Sequence, residues 1–141
     1  MYGCANFCPG PTDKNYNDAI KTIKLYGTAV YNAPGSWYPN TVLGDTSSFH
    51  NPSIQGRLFI TPERFVFAVY DDQKNSFLKA YELSYTDIKW ITGKKHGLSR
   101  LLRVQSGNTV NSFSFSSCFR DKEQECNKDE LMNYVLDQAS K

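Results

Sequence analysis

Gly56-Arg57-Leu58-Phe59-Ile60-Thr61-Pro62-Glu63-Arg64-Phe65-Val66-Phe67-Ala68-Val69-Tyr70 decides the fold. Two runs rich in aromatic and β-branched residues flank a Pro62-Glu63 turn, which is the pattern of an antiparallel hairpin. Phe65, Phe67 and Val69 fall on one face of the second strand, and Val66, Ala68 and Tyr70 fall on the other. Both faces are apolar, so both need cover.

Working outward toward the C-terminus, a polar turn at 71–76 leads to a strand at 77–83, and a second polar turn at 84–87 leads to Ile88-Lys89-Trp90-Ile91. A Gly-flanked basic turn at 92–97 precedes a strand at 99–105, and Ser106-Gly107-Asn108 turns the chain again. From Val110 onward Phe113 and Phe115 alternate with Ser112, Ser114 and Ser116, as in a strand with one wet face. The period then changes. Asn127 and Glu130 stand at capping-box spacing, and Leu131, Tyr134, Val135 and Gln138 share one side of a helix ending near Ser140. Its apolar stripe has to cover an end or face of the sheet.

Toward the N-terminus, residues 32–54 are rich in Pro, Gly, Asn and Ser. They read as a long, partly ordered insertion with at most a short strand near Thr41-Val42-Leu43. Residues 25–31 read as the first strand. Tyr16, Ala19, Ile20 and Ile23 stand at helical spacing in residues 13–24, a short amphipathic helix. Residues 1–12 lack periodicity and read as a flexible tail or tether, which leaves residues 13–141 as a single domain. The expected fold class is mainly β with a terminal helix: about seven antiparallel strands in two sheets, closed by a C-terminal α-helix. A length of 141 residues suits one domain, and 14% aromatic content fits a β-rich core.

The charge excludes some roles. Sixteen basic against fourteen acidic residues give +2, far below the balance a nucleic-acid binder uses against phosphate. No apolar run approaches the roughly 20 residues of a membrane-spanning helix. Cys4, Cys8, Cys118 and Cys126 have no Cys/His partners at zinc-site spacing, so no metal is expected. Cys118 and Cys126 bracket a polar loop and would close a short disulfide ring in an oxidising compartment. Tyr2-Gly3-Cys4-Ala5 is similar to the end of a bacterial lipoprotein signal. If Met1 replaces a trimmed leader, Cys4 is a lipidation site and the location is the bacterial cell envelope; if Met1 is the native start, it is the cytoplasm.

The strand residues 56–61 and Arg64-Phe65-Val66-Phe67, followed by Glu82-Leu83-Ser84-Tyr85-Thr86-Asp87-Ile88, resemble the GRAM and bacterial PH-like (pleckstrin-homology-like) domains over about residues 20–138. The resemblance implies a β-roll of two nearly orthogonal sheets with a C-terminal helix plugging one end. It also implies a non-enzymatic binding module for phosphoinositide headgroups, membrane surfaces or protein partners. The chain departs from the pattern in one functional respect: residues 32–54, where lipid-binding members supply Lys and Arg after the first strand, contain neither.

Two candidate sites follow. Lys94, Lys95 and His96, with Arg100 and Arg103 on the next strand, form a basic cluster that suits phosphate or anionic lipid, although Arg100 and Arg103 fall on opposite strand faces. A solvated turn is the competing reading. Trp37, Tyr38 and Phe49 lie in the long insertion, where they either anchor a partner or fold back over the roll. The cation-free insertion and its aromatic residues favour a protein partner, with an anionic membrane surface second. No nucleophile stands in a recognisable elbow, Asp71-Asp72 reads as turn chemistry, and neither catalysis nor a cofactor is expected.

Overall fold

The structure, a computed structural model, describes residues 29–42, 53–71, 73–74, 76–120 and 124–141, without the side chains of residues 39–42 and 96. The tail with Cys4, the helix expected at 13–24 and Phe49 lie outside the described residues.

Among the described residues nine strands and a helix follow one another: β1 (Tyr31–Val42), β2 (Ile54–Ile60), β3 (Arg64–Asp71), β4 (Ser76–Ser84), a 3-10 turn (Tyr85–Asp87), β5 (Trp90–His96), β6 (Ser99–Ser106), β7 (Thr109–Phe115), β8 (Cys118–Arg120), β9 (Gln124–Cys126) and α1 (Lys128–Ala139). The hairpin of β2 and β3 forms in the expected register, Leu58 opposite Phe67 and Ile60 opposite Phe65. At its turn the Thr61 hydroxyl accepts from the Arg64 amide at 3.1 Å and donates to the Arg64 carbonyl at 3.0 Å, a side-chain turn of the kind Thr favours.

All nine strands share one antiparallel sheet rather than two, in the order β4-β3-β2-β1-β7-β6-β5, with β8 and β9 joined through β1. The chain from 32 to 42 is not an insertion. It is most of β1, which pairs β2 on one edge and β7 on the other. Pro34 and Gly35 disguised a strand that is fixed by neighbours on both sides rather than by its own propensity. The expected strand at 25–31 is overturned where it can be seen, since Ala29 and Val30 precede β1. The polar loop between Cys118 and Cys126 contains the two short strands β8 and β9. The basic turn at 92–97 is mostly strand, because β5 runs to His96.

The sheet folds over on itself. Phe65 of β3 lies 5.4 Å from Phe113 of β7, ring centre to ring centre, and Tyr81 of β4 is equally close. In a flat sheet β3 and β7, three strand steps apart, would be separated by roughly 14 Å. Only a sharp bend through β1 brings them together. Gly35 and Gly56 face each other in β1 and β2 at this bend. A Cβ on Gly35 would stand 2.3 Å from the Ser114 carbonyl oxygen, and one on Gly56 would stand 2.4 Å from that of Ala68, so both positions exclude any side chain.

The core inside the roll is built from Trp37, Leu58, Ile60, Phe65, Phe67, Leu102, Val104 and Phe113, closed by Leu131, Met132 and Val135 of α1. Asn127 caps the helix, its side chain accepting from the Asp129 amide at 2.8 Å. Glu130 does not complete a capping box; its carboxylate instead accepts from Arg120 Nε and the Tyr31 hydroxyl, both at 2.9 Å. These bonds tie the first turn of α1 to β8 and β1.

Candidate functional site

The expected basic cluster sits on the β5–β6 hairpin, and the pleat divides it. Lys94 pairs Leu101, Lys95 pairs Arg100, and His96 pairs Ser99. Gly97, at φ +62°, makes the turn with Leu98. Because successive residues alternate faces, Lys95 and Arg100 look toward α1, whereas Lys94 and Arg103 look away from it. Arg103 Nε is buried with no hydrogen-bond partner among the described residues.

On the helix side Arg100 is 9% exposed. Its guanidinium forks onto Asp129, with Nε to Oδ1 and Nη2 to Oδ2, and Nη1 also donates to the Ser99 carbonyl at 3.1 Å. Lys95 Nζ stands 3.9 Å from the same carboxylate. The hydrogen bond from Arg100 holds the Asp129 carboxyl below its ordinary range, against the opposing pull of burial. Arg100 is thus a buried strut joining hairpin to helix, with its charge answered by Asp129.

Further cationic groups lie near the hairpin tip. Leu98 is 82% exposed, more than any other large hydrophobic side chain among the described residues. The Lys128 amine donates to the Leu98 carbonyl, which fixes the tip against the first turn of α1. Lys94 and Lys95 are exposed beside it. Beneath lies a cleft of about 280 Å³, lined by Arg100, Ser116, Ser117, Lys128 and Asp129, with Glu125 as its other carboxylate. Cys126, at the end of β9, also lines it and is bridged to Cys118 of β8, with Cα atoms 5.2 Å apart. The arrangement offers an apolar point among three ammonium groups on a braced hairpin.

The aromatic candidates separate. Trp37 is 9% exposed and lies in the core against Phe67, Tyr81 and Phe113, its indole N–H donating to Asn111 Oδ1 at 3.0 Å. It folds inward, but as part of a strand and not as a loop laid over the roll. As an exposed anchor it is unavailable. Tyr38, on the opposite face, is half-buried. Asp71 accepts from the Gln73 and Lys74 amides at 3.0 and 3.3 Å, a turn-stabilising role.

A second hollow of about 380 Å³, lined by Pro62, Glu63, Arg64, Tyr85, Gln138 and Lys141, carries mixed charge. Among the described residues no group of His, Cys, Asp and Glu is placed to hold a metal, and no helix is long and apolar enough to cross a membrane.

Sequence reading missed Leu98, Lys128 and Asp129 as members of the site. Leu98 was visible as an isolated apolar residue after the glycine of a basic turn. Asp129 and Lys128 reach the hairpin from 29 and 30 residues away, and nothing in local pattern announces such pairs.

No family model and no curated protein sequence matches the chain. Among solved structures it is similar to the C-terminal domain of an unknown protein from Leishmania infantum, at 16% identity over 91% of this chain and 94% of that one, with a TM-score of 0.49. It is also similar to the Slm1-PH domain solved in complex with inositol-4-phosphate, at 14% identity over 79% of this chain and 93% of that one, with a TM-score of 0.42.

Proposed function

We propose that this domain is a non-enzymatic binding module that engages an anionic membrane surface through the tip of the β5–β6 hairpin. The observation that carries this reading is Leu98, 82% exposed at a braced turn, with Lys94, Lys95 and Lys128 around it. An exposed leucine held at an apex gains by entering the interfacial region, and ammonium groups on the same hairpin and the adjoining helix turn meet lipid phosphates and carboxylates.

The affinity follows from the parts. Each lysine near an anionic surface contributes on the order of 1 kcal/mol, and Glu125 offsets one of the three. Burying one leucine side chain adds about 2 kcal/mol. A total of about 4 kcal/mol corresponds to a dissociation constant of about a millimolar in accessible lipid, too weak to act alone and suited to a chain with a second anchor or several copies. A protein partner was the first expectation from the aromatic residues; Trp37 is 9% exposed, whereas Leu98 is 82% exposed, and this contrast supports the membrane reading.

Vesicle co-sedimentation tests the proposal. Binding should appear with vesicles of 30% phosphatidylserine, fall with added salt, and be lost in Leu98→Ser or in Lys94→Gln/Lys95→Gln. Equal binding to neutral phosphatidylcholine vesicles, or binding indifferent to both variants, would overturn it.

A further inference from the structure

Consecutive residues at the start of α1 each hold a different part of the fold. Cys126, the last residue of β9, is bonded to Cys118, and Asn127 caps the helix. Lys128 donates to the Leu98 carbonyl, Arg100 donates to Asp129, and Arg120 and Tyr31 both donate to Glu130. The disulfide therefore enters the chain immediately before the two residues that brace the β5–β6 tip.

Little except the disulfide positions this stretch. Among the described residues β9 is hydrogen-bonded to β8 and to no other strand. Each of the two is 3 residues long, and β8 meets the rest of the sheet through Phe119 opposite Asn32 of β1. A two-stranded hairpin is marginal by itself, so the covalent bond does most to hold β9 in place. Beyond its first turn α1 has its own anchorage, because Leu131, Met132 and Val135 lie in the core. Opening the bridge thus frees residues 124–129 and leaves the body of the helix docked.

The bridge can also be reached. Cys118 is fully buried, whereas Cys126 is half-buried and lines the cleft of about 280 Å³ beside α1. A small thiol entering the cleft meets the Cys126 sulfur first. Its thiolate bonds to Cys126 and expels Cys118 as a thiolate, which takes up a proton. A second thiol then displaces Cys126 and leaves joined to the first as a disulfide, and the protein holds two thiols.

We infer that the Cys118–Cys126 bridge is a redox-operated latch on the β5–β6 tip, closed when oxidised and opened by a small thiol reductant. Closed, it holds Lys128 and Asp129 against Leu98 and Arg100. Opened, it releases them, and the tip loosens. The latch stands on these contacts alone; that it would also govern lipid contact rests on the function proposed above, and its test needs no lipid.

The test uses the full chain with Cys4→Ser/Cys8→Ser, so that a single cysteine pair responds, and reads backbone order by amide nitrogen relaxation before and after dithiothreitol. On reduction, order parameters at residues 97–99 and 124–129 should fall from about 0.85 to below about 0.6, while those of Leu131, Val135 and the β2–β3 hairpin stay as they were. Unchanged order at residues 97–99, or a loss spread evenly over the sheet, overturns the inference. Lys128→Met/Asp129→Asn cuts both ties with the bridge intact and should loosen residues 97–99 in the oxidised protein. A tip as rigid as that of wild type in this variant also overturns it.

Discussion

Replacing Trp37 by alanine separates a core residue from a surface anchor. The indole touches three aromatic rings, and its N–H donates to Asn111, which is buried. Truncating a large buried aromatic side chain costs about 3–5 kcal/mol, and the lost hydrogen bond adds about 1. For a domain of this size about 3–4 °C of Tm accompanies each kcal/mol, so Trp37→Ala should lower Tm by roughly 12–24 °C. Trp37→Phe keeps a ring in place and should lower it by about a third as much. Thermal unfolding followed by circular dichroism, with urea midpoints as a check, measures both. A Tm within about 4 °C of wild type for Trp37→Ala would refute the placement of β1 in the core and restore Trp37 as a candidate anchor.

Reducing the Cys118–Cys126 bridge, whose cysteines are 8 positions apart, should cost about 2.5 kcal/mol by loop-closure entropy, read as a drop in urea midpoint on adding reductant. Cys118→Ser/Cys126→Ser should match the reduced protein and no longer respond to reductant. The carboxyls of Asp129 and Glu130 are both lowered, chiefly by hydrogen bonds from Arg100 and from Arg120. Their contribution is present above the ordinary carboxylate range and is lost as pH falls through the lowered values. Urea midpoints should therefore show Asp129→Asn/Glu130→Gln less stable than wild type at pH 7 and the two converging once pH falls below the ordinary carboxylate range, whereas parallel curves would refute the assignment. Gly35→Ala should be far more damaging than Gly93→Ala. The added Cβ meets backbone oxygen at 2.3 Å in the first and the flexible Met132 side chain at 2.7 Å in the second. The expected costs are about 3 kcal/mol or more against about 1, and equal costs would contradict the bend at Gly35.

The parts of the fold that could be read directly are those whose pattern is local. The β2–β3 hairpin, β4, β6, β7 and the capped final helix each announce themselves in a few consecutive residues. β1 was hidden because a strand flanked on both edges needs no strong propensity of its own, and Pro34, Gly35 and Pro39 read as loop. Among the described residues the strand count rises to nine because of β8 and β9, each 3 residues long and too short to show a period. At the site, Lys94 and Lys95 were legible as charge, but that Arg100 is a strut rather than a ligand depends on Asp129, a partner supplied by the tertiary fold.

The most direct measurement of the proposed role is the depth of the β5–β6 tip in a bilayer. With anionic bicelles carrying a nitroxide-labelled lipid, the amide resonances of Gly97 and Leu98 should broaden first, followed by those of Lys94 and Lys95, while those of Gly107 and Asn108, in the turn between β6 and β7, stay sharp. Uniform broadening over the surface, or broadening centred on the β6–β7 turn, would contradict a membrane contact made through Leu98.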